Sequence, residues 1–218
     1  MILLVRHGQA SWGAADYDVL STTGEEQSRV VGRAFGERRI EPTRVVTGSM
    51  RRHDQTARLA AESAGWQKAV EVDGGWDEFD HVQMLEVHGP PEGSQPGEQM
   101  TRQEFNAWFD AAKARWAAGD HDDEYDEPFH LFSARVDAAL RRTASGLAPG
   151  DTAVVFTSGG PISWVAAGLL GGGVDTWSRL TPVTVNASLT KVVVGGRGTT
   201  LVSLNEHGHL EPELVTYR

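Results

Sequence analysis

The chain opens on four consecutive apolar residues, Ile2-Leu3-Leu4-Val5, and the run stops at Arg6. A strand that is apolar at successive positions has both faces buried, which happens chiefly in a parallel sheet covered by helices on each side. Residues 152–157 (TAVVFT) repeat the pattern late in the chain, and 43–47 (TRVVT) are a shorter third example. Helical segments alternate with these strands. Residues 24–39 form one, with Val30, Val31, Ala34 and Phe35 as its inward stripe. Residues 51–64 form a second, for which Ser49 is the expected N-cap. A helix over 129–147 precedes the strand at 152–157. An apolar helix to about residue 170 follows it, with Pro161 at the first helical position. Residues 189–194 and 199–204, joined by Gly195-Gly196-Arg197-Gly198, read as a closing antiparallel hairpin. This order predicts an α/β fold of three αβα layers around a mostly parallel central sheet.

Residues 74–128 interrupt the alternation. Trp76, Phe79, Trp108, Phe109 and Trp116 are scattered there among Gly, Pro and acidic residues. The stretch 89–97 (GPPEGSQPG) reads as a mobile loop and 101–118 as a helix. The expectation is one domain over 1–218, with 76–128 as a cap-like insertion. The run 121–127 (HDDEYDE) reads as a solvated acidic loop. It lacks the glycine turn and the spaced ligands of a calcium loop.

Composition narrows the possible partners. The formal net charge of -10 disfavours nucleic acid and anionic membranes, which call for broad basic surfaces. The absence of cysteine excludes disulfides, thiolate nucleophiles and cysteine zinc sites. The apolar run before Arg6 is too short for a signal sequence and no later run approaches a membrane span, so the expected location is the cytoplasm.

In open α/β sheets, ligands bind beyond the carboxyl ends of the strands. Three places qualify: Arg6-His7-Gly8, residues 47–52, and Ser158-Gly159-Gly160-Pro161. Two deliver arginines, one delivers a histidine, and two open onto helix N-termini, whose N–H groups favour anions. The convergence points to a phosphate. His7 suits the role of nucleophile, because phosphoryl transfer needs an in-line attacker and positive groups on the equatorial oxygens. Arg6 can hold two phosphoryl oxygens, and Gly8 lets backbone approach closely. Arg-His-Gly in isolation suits a hydrogen-bonded structural histidine at least as well.

Here the sequence resembles the histidine phosphatase superfamily, also called phosphoglycerate mutase-like. The family opens on a buried strand and Arg-His-Gly, as in LLVRHGQAS over 3–11. Its Leu-Thr-x-x-Gly motif with a later Gln is matched by Leu20-Ser21-Thr22-Thr23-Gly24 and Gln27. Its Ser-x-x-Arg-Ala-x-Gln-Thr-Ala motif is matched by Arg52-His53-Asp54-Gln55-Thr56-Ala57. The resemblance implies that His7 is phosphorylated in turnover and that Arg6 and Arg52 clamp phosphate. Arg51 falls at a variable family position and is expected on the surface. The family's proton donor follows the second helix in a Leu-x-Glu pattern, which places Glu78 of Trp76-Asp77-Glu78 in that role, with Asp77 and Asp80 as rivals.

Two departures accompany these matches. The family usually carries a second histidine in a Ser-His-Gly-like turn, where this chain has Ser158. Its Asn six residues after the first histidine is Gly13 here. One lost transition-state donor costs about 2.7–4 kcal/mol. The Ser158 hydroxyl and nearby N–H groups, including that of Gly159, are expected to recover part of that at the phosphate. His81, three residues after Glu78, would share a helical face with it and could supply an accessory imidazole. The resemblance implies a phosphatase that hydrolyses a small phosphomonoester through a phosphohistidine, with no metal or cofactor. Alternatives are a phosphoglycerate-mutase-type transfer and a non-catalytic phospholigand-binding protein.

Overall fold

In the computed structural model, which describes residues 1–11, 18–91 and 100–217, the chain runs β1 (Ile2–Arg6), α1 (Thr22–Glu37), β2 (Arg44–Thr47), α2 (Arg51–Ala64), β3 (Val70–Val72), α3 (His81–His88), α4 (Arg102–Ala118), α5 (Phe129–Ser145), β4 (Ala153–Thr157), α6 (Gly159–Leu169), α7 (Val174–Leu180), β5 (Leu189–Gly195) and β6 (Gly198–Glu206). The strands form one sheet in the order β3-β2-β4-β1-β5-β6. The β1–β4, β2–β4 and β2–β3 pairs are parallel, and β5 runs antiparallel to both β1 and β6. The mixed sheet and its C-terminal hairpin are those expected from the apolar runs.

Burial explains why those runs are continuous. Leu3 and Val5 pack with Val154 and Phe156 against Val31 and Phe35 of α1 and Ala57 and Ala60 of α2. Alternation along a strand sends Ile2, Leu4 and Val155 to the opposite face, and these are fully buried too. On that side α6 lies against β1, with Ile162, Val165 and Ala166 buried. Each buried Val, Leu, Ile or Phe among them contributes roughly 1.5–3 kcal/mol relative to exposure.

Several local expectations are corrected. Pro161 is the third residue of α6, after Gly159 and Gly160, with Ser158 at the N-cap. The N-cap of α2 is Met50, which makes no side-chain capping bond. Ser49 instead gives both its backbone N–H and its hydroxyl to the Asp77 carboxylate, each at 2.5 Å. Val30 is only half-buried, and the inward face of α1 runs through Gly24, Gln27, Ser28, Val31, Ala34 and Phe35. Strand β3 and helices α3 and α7 have no counterpart in the sequence reading.

The chain divides into two compact units, one of Met1–Glu78 with Val136–Arg218 and one of Phe79–Arg135. The second is built on aromatic packing. The Phe79 ring lies 5.0 Å from Trp116 and 5.7 Å, edge-on, from Phe132, and Trp116 meets Phe129 edge-on at 5.1 Å. A reciprocal capping box between Thr101 and Glu104 starts α4. The acidic run is solvated as expected, with His121, Asp123, Glu124 and Asp126 exposed, and three of its carboxylates also have cationic partners. Both Glu124 oxygens accept from Arg115 at 2.9 Å, Glu127 pairs with Arg135, and Asp122 with His130. Among the described residues no cluster of three or more His, Asp or Glu could hold a metal ion, and no helix is long and apolar enough to cross a membrane. Most of the expected loop at 89–97 lies outside the described residues.

Candidate active site

Parallel pairing of β1 with β4 sets Arg6 opposite Thr157. The residues that follow, His7 and Ser158, therefore leave the sheet side by side. The His7 N–H donates to the Thr157 carbonyl at 2.8 Å, and the His7 carbonyl accepts from Ala187 N and Asn186 Nδ2, each at 3.2 Å. Its backbone is held from two directions. Gly8 is required by contact: a β-carbon there would lie 2.2 Å from the Gly24 carbonyl oxygen, and one on Gly24 would lie 2.1 Å from the Gln9 carbonyl oxygen. Gln27 accepts from Gln9 N at 2.7 Å, and Ser21 caps α1 through Gly24 N. The segment Leu20–Gln27 is thus the support on which Arg6–Gln9 rests.

The His7 ring is buried, with Nδ1 2.6 Å from the Gly8 carbonyl oxygen. A carbonyl oxygen can only accept, so Nδ1 carries the proton and Nε2 carries the lone pair. Burial, followed by the charges of Arg52 and Arg6 and the neighbouring His53, holds the His7 pKa well below its usual 6.5. The ring is accordingly a neutral imidazole at pH 7, the form that attacks phosphorus.

Positive charge surrounds it. Arg52, in the first turn of α2, is buried and donates to Asp18 Oδ1 at 2.6 Å. Arg51 is exposed, as expected, with its backbone N–H on Asp18 Oδ2. One terminal nitrogen of Arg6 donates to the Thr184 and Tyr217 carbonyls. A β-carbon on Gly159 would stand 3.5 Å from Arg6 Nε, so Arg6 runs alongside the start of α6. Glu78, half-buried, accepts from Gly160 N at 3.1 Å. Its rivals have other partners: Asp77 holds Ser49, and Asp80 caps α3 through Val82 N and Gln83 N, each at 3.0 Å. Arg6, His7, Arg52, Glu78, Ser158 and Gly159 meet at one end of the sheet. Such a cluster of a neutral histidine, two guanidinium groups, a carboxyl and a helix N-terminus can bind a phosphoryl group and accept it covalently. Gly13 lies outside the described residues.

Two findings revise the account of imidazoles. The segment from Asp77 to Asp80 is outside any helix, and His81 is the first residue of α3. Glu78 and His81 therefore share no helical face, and the His81 ring instead lies 6.5 Å from Phe109. The second imidazole is His53. It is fully buried, its ring centre is 5.7 Å from that of His7, and its Nε2 is 2.7 Å from Ser158 Oγ. The phase of α2 carried this signal, because His53 precedes the buried Ala57 and Ala60 by four and seven residues and so falls on their face.

Comparison with known proteins gives the family and the fold. The curated glucosyl-3-phosphoglycerate phosphatase of Mycolicibacterium vanbaalenii is 26% identical over 193 residues, covering 82% of this chain and 78% of that protein. Phosphoserine phosphatase from Entamoeba histolytica, solved as a mutant with phosphoserine, superposes with a TM-score of 0.68 at 20% identity, covering 96% of this chain and 98% of the other. Phosphoglycerate mutase from Bacillus anthracis gives a TM-score of 0.68 at 20% identity, covering 95% and 93%. The sequence profile of branch 1 of the histidine phosphatase superfamily matches residues 2–207. By that match across nearly its whole length, the chain belongs to the histidine phosphatase superfamily.

Proposed function

We propose that the protein is a phosphatase that hydrolyses a small phosphomonoester through a phosphohistidine on His7. The observation that carries this reading is the 2.6 Å contact of the buried His7 Nδ1 with the Gly8 carbonyl oxygen. His7 is neutral, its Nδ1 proton is fixed on Gly8, and its Nε2 lone pair is left for phosphorus, beside Arg6 and Arg52. In the first step Nε2 bonds to phosphorus as the ester P–O bond breaks, and Glu78 gives its proton to the departing oxygen. In the second a water oxygen bonds to phosphorus, the P–N bond breaks, and the water's proton passes to Glu78. Arg6, Arg52, the Ser158 hydroxyl and the first N–H groups of α6, including Gly159, offset charge on the equatorial oxygens. With that set the reading requires no metal and no organic cofactor.

Relatives that act on phosphoserine or glucosyl-3-phosphoglycerate support a small phosphorylated substrate. Residues 76–128 would set its identity. A mutase needs a further anion clamp, and Arg115, one of the few arginines of that region, is already held by Glu124. The proposed location is the cytoplasm, where phosphomonoesters are retained because their dianions cross membranes poorly. The test is rapid-quench trapping with a labelled phosphomonoester followed by peptide mapping. An acid-labile, base-stable label on His7 is expected. Label on another residue, or wild-type turnover by His7→Ala, overturns the reading.

A further inference from the structure

His53 is a fully buried imidazole with no part in the mechanism above, and its surroundings are specific. Its Nε2 meets Ser158 Oγ at 2.7 Å. Its Nδ1 is buried and has no hydrogen-bond partner among the described residues. The nearby acidic atom, Asp77 Oδ1, is 3.9 Å away, beyond hydrogen-bond range, and accepts from Ser49 N. Space for the ring depends on Gly48, where a β-carbon would fall 2.4 Å from His53 Nδ1 and 2.5 Å from Asp77 Oδ1. The sheet end therefore accommodates a large ring at 53 and a small side chain at 158. The resembling family motifs have the reverse, Ala in the arginine motif and His in the turn.

These contacts decide where the protons sit. Burial, and then the Arg52 charge, hold His53 well below its usual 6.5, so the ring has a single N–H. On Nδ1 that N–H would be a buried donor without an acceptor in range. On Nε2 it is satisfied by Ser158 Oγ, and only an acceptor is left bare, the less costly outcome. With Nε2–H pointing at Oγ, the serine's own proton must point away from the ring. Ser158 follows β4 as His7 follows β1, in adjacent parallel strands, so a phosphoryl group on His7 would be the acceptor next to it.

We propose that His53 and Ser158 form one donor unit, in which the His53 ring positions the Ser158 hydroxyl to donate to the phosphoryl group that His7 receives. The unit rests on the phosphohistidine reading above. His53 is the positioning residue, and Ser158 touches the reacting group. The two side chains together do what one imidazole at position 158 would do alone.

Two experiments test the unit. In single turnover with p-nitrophenyl phosphate, the nitrophenolate burst reports phosphoryl transfer to His7 with little need for a proton donor. His53→Ala and Ser158→Ala should each slow the burst by about 10²-fold with little change in the concentration for half-saturation. The double variant His53→Ala/Ser158→Ala should be no slower than either single one, because one unit is removed once. The exchange His53→Ala/Ser158→His should recover most of the rate. Multiplicative losses, or a His53→Ala burst at the wild-type rate, overturn the proposal while leaving His7 as the labelled residue. A wild-type chain with no label on His7 overturns both readings. Ring nitrogen NMR shifts of the unaltered protein give a check that depends on no variant's folding. A proton on Nε2 of His53 is expected, and one on Nδ1 overturns the proposal because the serine proton would then face the ring.

Discussion

The buried guanidinium of Arg52 is held by the carboxylate of Asp18 at 2.6 Å, with the other Asp18 oxygen on Arg51 N. Arg52 is one of the two proposed clamps, so a bound phosphate oxygen would share this guanidinium with Asp18. On the proposed reading the phosphate competes with this pair for the guanidinium. The Asp18 side chain is 34% exposed, which keeps the pair near the range of partly solvated bridges, about 1 kcal/mol. Asp18→Asn should therefore tighten inorganic phosphate binding by about fivefold, read by calorimetry. Unchanged or weaker binding would show that Asp18 orients Arg52 for the anion instead of competing with it.

The two site histidines also set a pH dependence of stability. Both are held below 6.5 in the folded chain, by burial first and by Arg52 second. Unfolded, both titrate near 6.5. As pH falls below that value the unfolded chain takes up protons that the folded chain refuses. Their contribution is therefore complete above about 6.5 and declines as pH drops toward the folded values, by up to about 1.4 kcal/mol per pH unit for each ring. Denaturant unfolding at about pH 7.5 and about pH 5.5 should show this loss, smaller in His53→Gln by about 1.4 kcal/mol over the whole interval. An equal loss in that variant would mean that His53 already titrates normally in the folded state.

The close approach of Gly8 to Gly24 makes a third prediction. Gly8→Ala places a methyl group 2.2 Å from a backbone oxygen that cannot swing aside as a side-chain end could. Overpacking of this kind costs about 1–3 kcal/mol. Because Gly8 adjoins His7, the shift should also displace the ring. Thermal unfolding should report the lost stability and the nitrophenolate burst the lost rate. A variant with wild-type stability would show that α1 can move away at no cost.

How far the sequence exposes all this depends on the residue. β1 and β4 are legible because burial on both faces leaves apolar residues at every position, a pattern that surface segments do not sustain. The proposed phosphate ligands are legible because Arg6 ends β1, Ser158 and Gly159 follow β4, and Arg52 follows the shorter β2. β3 is three residues at the sheet edge with Val72 67% exposed, too short and too solvated to leave a period. α3 depends on the Asp80 cap more than on an apolar stripe, and in sequence Asp80 is a rival for the acid catalyst. Ser49 resembles an N-cap in sequence, yet its hydroxyl is drawn to Asp77, a partner that only the fold brings near. His53 was hidden by its polar neighbours, since Arg52-His53-Asp54 reads as a wet helix end unless the phase of Ala57 and Ala60 is followed back to it.

The last prediction concerns Glu78. Its Oε2 accepts the Gly160 N–H at 3.1 Å, and the amide oxygen of a glutamine can accept the same bond. Glu78→Gln should then keep the segment in place while removing the transferable proton. If Glu78 is the proton donor, the loss must depend on the leaving group. An alkyl phosphate expels a basic alkoxide that needs protonation, and its phosphoryl transfer should slow by about 10²- to 10⁴-fold. p-Nitrophenyl phosphate expels a stable phenolate, and its burst should slow far less. Asp77→Asn is the control, because Asp77 holds Ser49 and has no proposed contact with the leaving oxygen. A loss in that variant should be the same for both substrates. Equal losses for both substrates in Glu78→Gln would remove Glu78 from the proton-transfer step and leave it the role of anchoring the start of α6.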